Sequence, residues 1–454
     1  MRRLVGLILS LLVSGGLSAP AVTATPPSDR APGARAPAAP NVASAIVAGR
    51  VNRTSLFLPA TYEVRASLNF ASARLSVISY MVVTNRSGGG VDRLELNTVA
   101  ARLGAMTDLE ATVDGRAVSP TVSDQTIRVP LGGVLPDDGS ASVRIAFRAR
   151  FRIGVAGHNY LFAKHNSTIN AYRWIPWISR ATPFDRPNFG DPFVTPASRS
   201  VRVAIRTDQP MPIATSGRRV AVDGLTQTFL ATNVRDFNFT ASPLYRRLYG
   251  MVGQTRITVF HLPGGPGQAL LDETKASLYR LNALVGQYPH PTYTVAQSAG
   301  GYALESPGHV WLPPVESWRV PYLVRHETAH QWFYGIVGND QAREPFADEA
   351  MADFLTRYTL GSFRQGACSS SRLDLTIYDY SSACYYELVY VKGANVLNDA
   401  RRRMGSEAFW SAVRAYTQAY EGKLSHTGTL LRFLDSRTGV NLSTLFRTYF
   451  PSLY

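Results

Sequence analysis

The stretch YLVRHETAHQWFYGIVGNDQAREPFADEAMADF, Tyr322 to Phe354, holds two of the chain's eight histidines, and two of its glutamates stand at telling distances from them. His326 and His330 are four residues apart, so on a helix they share one face and their imidazoles converge on one point. Pro321 suits the first turn of that helix, which is predicted to run to about Gly335. Glu327 follows His326 and is rotated about 100° from it, beside the convergence point but not on it. The turn-rich segment GNDQAREP comes next, and a second helix is expected to open at Pro345. Eighteen residues separate His330 from Glu349. That span allows the end of one helix, a return loop and one turn of an antiparallel partner, which places the Glu349 carboxylate opposite the histidines. Two histidines and one carboxylate leave a fourth position of Zn2+ open, the catalytic pattern of ligands. One zinc per chain is therefore expected on His326, His330 and Glu349. Metal-bound imidazoles usually donate their free N–H to a carboxylate. Asp353, four residues after Glu349, is expected to serve His326 in that way.

Around this stretch the chain divides into two patterns. Segments such as RLSVISYMVV, ASVRIAFRARF, SRSVRVAIRT and TRITVFHL alternate polar and apolar residues and are separated by Gly, Pro, Asn and Asp turns. They predict a β-sandwich-like domain over residues 51–260. From Pro266 onward the spacing becomes helical, as in QALLDETKASLYRLNALVGQY. Two short strands, TYTVAQS and HVWLPP, interrupt it before a mostly helical remainder with stops at Gly338, Gly361, Gly405 and Gly439. The fold class read from this order is α+β, with a β-rich domain followed by a mostly helical one over 261–454.

At the start of the chain, Arg2 and Arg3 precede an apolar run, Leu4 to Leu17, and then Ala19-Pro20-Ala21. That is the layout of a secretory signal peptide, assigned here to residues 1–21. The run is shorter than the roughly 20 apolar residues a membrane span needs, and no later segment suggests a span in the mature chain. Residues 22–50 are rich in Ala and Pro and read as a flexible tether. The protein is expected to be exported and secreted. Its two cysteines, Cys368 and Cys384, then read as a disulfide. The 454 residues carry a net charge of +15, but the basic residues are scattered arginines with only four lysines, and no nucleic-acid motif accompanies them. No nucleic-acid partner is expected.

Taken together, HETAHQWFYGIVGND…EPFADEA resembles the zinc signature of the aminopeptidase N and leukotriene hydrolase family of gluzincins. Upstream, GGYALESPG from Gly300 to Gly308 resembles the family's Gly-x-Met-Glu-Asn motif, with Leu304 and Ser306 at the Met and Asn places. Downstream, YVKGANVL from Tyr390 resembles its Tyr-x-Lys-Gly segment. GDPFVTPASRSVRVAI and VRDFNFTAS are similar to its N-terminal β domain. The resemblance implies a thermolysin-like catalytic domain after the β domain, without the C-terminal helical domain of larger relatives. It implies Glu327 as general base, Tyr390 as the donor that stabilises the oxyanion, and Glu305 as the partner of a substrate's free α-amino group. It places no residue of the β-rich half at that amine. The expected activity is a zinc aminopeptidase acting on peptides. A zinc endopeptidase, or an exported peptide-binding protein with a structural zinc, stays open beside it. The sequence gives no oligomeric state.

Overall fold

The structure, a computed structural model, describes residues 44–454. The signal peptide and most of the tether expected from the sequence lie outside the described residues. The last residues assigned to the tether are not free: Val47 forms an antiparallel bridge with Val134, with N–O distances of 2.9 and 2.8 Å.

The alternating segments form strands whose apolar positions face inward. In strand Arg74–Thr84, for example, Leu75, Val77, Met81 and Val83 are buried while Arg74 and Ser76 are exposed. This strand pairs antiparallel with Ala60–Asn69 and Ser140–Arg150, and Ala60–Asn69 pairs parallel with Val201–Thr207. These four form the middle of an eight-stranded sheet. A five-stranded sheet centred on Thr168–Ala171 and a four-stranded sheet containing Val91–Asn97 and Thr126–Leu135 complete the β-rich part. One hydrophobic core draws on all three sheets, with Val64, Val77, Leu96, Ile127, Ile169 and Val203 fully or almost fully buried. Burial of such side chains is the main stabilising term, at roughly 25 cal/mol per Å² of apolar surface.

The second part begins earlier than the alternation suggests. The hairpin Arg246–Val252 and Thr255–His261 alternates, and its period alone assigns it to the β-rich domain. In the structure Thr255–His261 pairs parallel with Thr292–Gln297, which pairs parallel with His309–Leu312. Helix Gly267–Val285 makes the crossover between Thr255–His261 and Thr292–Gln297. The hairpin's Ile257 and Val259 belong to the helical part's core, together with Leu270, Leu278 and Val324. The boundary between the two cores therefore falls before Arg246 and not at 260. Period-two alternation marks a half-buried strand without telling which sheet receives it.

The expected disulfide is present: Cys368 and Cys384 are joined, with Cα atoms 5.9 Å apart. It ties down an irregular segment that leads directly into Tyr385 and Tyr390, and Lys392 Nζ donates to the Cys368 carbonyl at 2.8 Å. Closing a loop of this length stabilises a fold by about 3 kcal/mol in the chain-entropy account. Replacing both cysteines by serine should lower stability by about that amount. Denaturant titration of the variant beside the oxidised parent checks this.

Candidate metal and catalytic site

Helix Val320–Ala329 starts with Pro321 in its first turn, as the sequence predicts, but it ends at Ala329 with His330 as its cap. The chain then turns sharply instead of continuing to Gly335. Gly335 N bonds to His330 O at 2.8 Å, and Tyr334 adopts a positive φ of 117°. A non-glycine residue held in that region costs about 1–3 kcal/mol. Here a buried network holds it: the Tyr334 hydroxyl accepts from Arg173 Nη2 at 2.8 Å and donates to Asp236. Arg173 and Asp236 come from the β-rich part, so contacts between the two parts fix the turn that follows the second histidine.

Pro345 opens the second element as predicted, but its first turn, Phe346–Ala350, is a π-helical turn before the α-helix Met351–Leu360. The segment Tyr386–Lys392 that carries Tyr390 is likewise π-helical. Such turns are frequent at functional sites because they shift side chains off the regular helical register.

His326, His330 and Glu349 come together. The two Nε2 atoms are 3.2 Å apart, and Glu349 Oε2 lies 3.3 Å from His326 Nε2 and 3.4 Å from His330 Nε2. A tetrahedral ion with ligands at about 2.0–2.1 Å has ligand–ligand edges of about 3.3 Å. All three residues are buried, and their ligand atoms are mutually within metal-binding reach. The donor set fits a divalent cation.

The carboxylate that orients a histidine is not the one expected. Asp353 donates nothing to His326 and takes nothing from it; it accepts from the Tyr322 hydroxyl at 2.5 Å and from Arg357 Nε. The Tyr322 ring stacks parallel to the His326 ring, at 6.0 Å between centroids, and keeps Asp353 for itself and Arg357. Among the described residues His326 Nδ1, which is buried, has no hydrogen-bond partner. The histidine that has a carboxylate is His330, whose Nδ1 is 2.7 Å from Asp348 Oδ1. That bond puts the proton on Nδ1 and leaves the Nε2 lone pair for a metal. Asp348 directly precedes Glu349, so the same turn supplies both groups. A carboxylate one residue before a ligand faces elsewhere on a regular helix; the π-helical turn brings it round to His330.

Glu327 and Glu305 both face this point. Each offers a carboxylate oxygen within 4.8 Å of the other's and of a His330 ring nitrogen. Glu305 is positioned by the antiparallel bridge between Leu304 and Trp311, which draws its segment onto strand His309–Leu312. Ser306, the residue after it, donates to Asp236 Oδ1 at 2.5 Å and so ties that segment to the network holding Tyr334. Gln341 Nε2 bridges Glu305 Oε1 at 3.1 Å and Asp348 Oδ2 at 2.6 Å. Asp191, from the β-rich part, is the residue that sequence reasoning missed. It is buried and lines the same cavity. Its only signal in the sequence is its place in the segment GDPF.

Tyr390 lines this cavity, with its ring stacked 5.5 Å from that of His326. The hydroxyl of Tyr385, buried and without a hydrogen-bond partner among the described residues, belongs to the same cavity. Tyr386 is instead engaged by Arg357 Nη2 at 3.1 Å and by the Tyr322 hydroxyl at 3.0 Å. The cavity they enclose is about 450 Å³.

The electrostatics follow from crowding. Asp191, Glu305, Glu327, Asp348 and Glu349 are all buried around two histidines. Burial, then the neighbouring Asp191 charge, pushes the Glu305 carboxyl well above the usual carboxylate range. Burial pushes Glu327 up to about 7, against the lowering effect of the two histidines. Burial also raises Asp191, although Arg186 Nη2 stands 3.9 Å away. Five buried carboxyls cannot all stay ionised without cations among them.

No protein-family model and no curated protein matches this sequence. Solved structures do. A point mutant of the M1 zinc metallopeptidase from Deinococcus radiodurans superposes with a TM-score of 0.68 at 18% identity, over 87% of this chain and 95% of that chain. The same mutant bound to a Tyr-Ser-Ala substrate gives 0.68 at 19% identity, over 87% and 94%. A two-domain M1 zinc metallopeptidase mutant bound to L-tryptophan gives 0.66 at 19%, over 86% and 93%. The chain thus has the two-domain fold of M1 zinc metallopeptidases.

Asp348→Asn should weaken metal retention about 10- to 100-fold while leaving the fold intact, whereas Asp353→Asn should leave metal affinity near that of the parent. Competition for zinc against a coloured chelator measures both.

Proposed function

We propose that this chain is an exported zinc aminopeptidase. The observation that carries the reading is that two acids, Glu305 and Asp191, line the same cavity as Glu327 and the His326–His330–Glu349 triangle. A cluster so rich in carboxylates calls for a divalent cation at the triangle and a second, organic cation at the acid pair. The free α-ammonium of a peptide is that cation, one residue from the scissile bond. Arg186, 3.9 Å from Asp191, is the one arginine paired with this couple among the described residues, and it leaves Glu305 without a cationic partner.

Zinc held by His326, His330 and Glu349 supplies Lewis acidity toward water and the substrate carbonyl. Glu327 takes the proton of the attacking water and passes it to the departing amine. Glu327 stands within reach of that water, because its carboxylate faces the same point as the His330 ring nitrogen. Tyr390 offers its hydroxyl to the oxygen that becomes negative, and the free hydroxyl of Tyr385 is a second donor for that charge. Asp191 and Glu305 hold the amine, which fixes how far the chain enters. Export is supported by the disulfide, which belongs to oxidising compartments. Among the described residues no helix is long and apolar enough to cross a membrane.

The test compares a free-amine peptide with its N-acetylated twin. Acetylation removes the charge and leaves Glu305 and Asp191 without their cation, so cleavage should fall by at least about 100-fold, the equivalent of a lost charged hydrogen bond. Rapid internal cleavage of the acetylated peptide would favour an endopeptidase instead. No cleavage of either by the zinc-loaded chain would favour a binding protein.

Glu327→Gln is nearly isosteric and removes only the base. It should keep zinc and bind peptide, with turnover reduced by about 100-fold or more. Tyr390→Phe should lower kcat by about 100- to 1,000-fold with little change in KM, since its hydroxyl acts when the oxyanion forms. Steady-state kinetics with metal analysis of each variant checks both.

A further inference from the structure

A second, smaller pocket is lined by both parts of the chain and shares no lining residue with the cavity above. One wall is a face of the sheet that contains Thr255–His261 and Thr292–Gln297. Alternation along these strands sends Ile257, Val259, Tyr293 and Val295 into the helical part's core and leaves Arg256, Thr258, Thr292 and Thr294 on the opposite face, at the pocket. The register sets Arg256 beside Thr292, and Thr258 between Tyr249 and Thr294, with Arg247 two residues before Tyr249. The other wall includes the start of strand Arg218–Asp223, which forms one edge of the eight-stranded sheet. Its pairing shifts register after Arg219, and Arg218 and Arg219 both line the pocket. The pocket holds about 130 Å³.

Four guanidinium groups thus meet at one small pocket, and no carboxylate lines it. Arg219 Nη1 donates to Gln227 Oε1 at 3.2 Å, and among the described residues the side chains of Arg218, Arg247 and Arg256 have no partner. Like charges brought together without an acid repel one another, and an anion between them reverses the sign of that interaction. The hydroxyls give the pocket direction. Thr294 is only 8% exposed, and its hydroxyl, like those of Thr258 and Thr292, has no hydrogen-bond partner among the described residues. A buried hydroxyl left without a partner is costly, and here it can donate into the pocket. Guanidinium forks and hydroxyl donors together match an anion with several acceptor oxygens, and four positive charges exceed what a single carboxylate balances.

We infer that this pocket is a binding site for a phosphate dianion, free or as the phosphate group of a monoester. Tyr249, 56% exposed at the same pocket, offers its ring to the organic group of an ester. The inference does not depend on the aminopeptidase reading, because none of its residues belongs to the metal and catalytic site.

Isothermal titration of the zinc-loaded full chain with inorganic phosphate, in a phosphate-free buffer of fixed ionic strength, tests it. One phosphate should bind per chain, and Arg247→Gln and Arg256→Gln should each weaken it by about tenfold, the loss of a charged hydrogen bond. Thr294→Val, which keeps the shape and removes the hydroxyl, should weaken it by about fivefold. Arg403→Gln, at an exposed arginine that pairs with Asp399 at 3.0 Å away from the pocket, should change it by less than about twofold. No binding to the parent overturns the inference. So does full affinity in the double variant Arg247→Gln/Arg256→Gln, which would put the phosphate at the metal. An equal loss in Arg403→Gln overturns it too, since net charge alone would then account for binding. Titration with phenyl phosphate separates the two sources of the dianion. Tighter binding than inorganic phosphate, lost in Tyr249→Ala, supports the site as one for a monoester, and equal affinities support it as one for the free ion.

Discussion

Five carboxyls buried around two histidines are the constraint on which the rest of this site depends. Each alone is expensive to ionise away from water, and together they repel one another. The structure meets this in two ways. It directs fixed donors at some of them: Gln341 bridges Glu305 and Asp348, and the Nδ1 proton of His330 goes to Asp348. It leaves others facing a common cavity, where protonation or an added cation restores balance. On the proposed reading, one such cation is the metal and the other arrives with each substrate. Substrate binding and charge compensation then become the same event, and selectivity for a free N-terminus needs no further device.

The scaffold keeps this crowded arrangement from relaxing. The turn after His330 is strained at Tyr334, and Arg173 and Asp236 from the β-rich part hold it there. Ser306 donates to that same Asp236, so the segment carrying Glu305 and the turn below His330 share one anchor. The β-rich part supplies Asp191 as well. It is thus a structural component of the site and not merely an appended domain. The disulfide does a similar service on the far side, where it fixes the irregular segment before Tyr385 and Tyr390.

Aromatic residues line the cavity in two groups. Tyr322 and Tyr390 flank His326 and limit how its ring can turn, which matters because its Nδ1 has no hydrogen-bond partner to do so. Phe189 and Tyr302 stand apart from the histidines and present open faces. Stacking thus takes over, for His326, the orienting role that a carboxylate plays for His330.

The residues that converge through one short stretch were legible in the sequence. His326, Glu327, His330 and Glu349 follow from the helical period and one loop length, and the structure brings them together because both quantities are local. The strands of the β-rich part were legible for the same reason, since alternation records burial residue by residue. What lay beyond reach depended on contacts between distant segments or on departures from the regular period. Asp348 was passed over and Asp353 preferred because a π-helical turn and the stacked Tyr322 change which carboxylate meets which histidine. The hairpin before His261 alternates like its predecessors, yet it joins the other sheet, because period alone does not name a strand's neighbour. Asp191 lies more than a hundred residues from Glu305 in sequence, and only the packing of the two parts makes them a pair. The sequence by itself determined the candidate metal-ligand set and the order of the two parts, through local periodicity; the tertiary structure alone decided what surrounds that set, because charge compensation and ring stacking act between residues that are neighbours only in space.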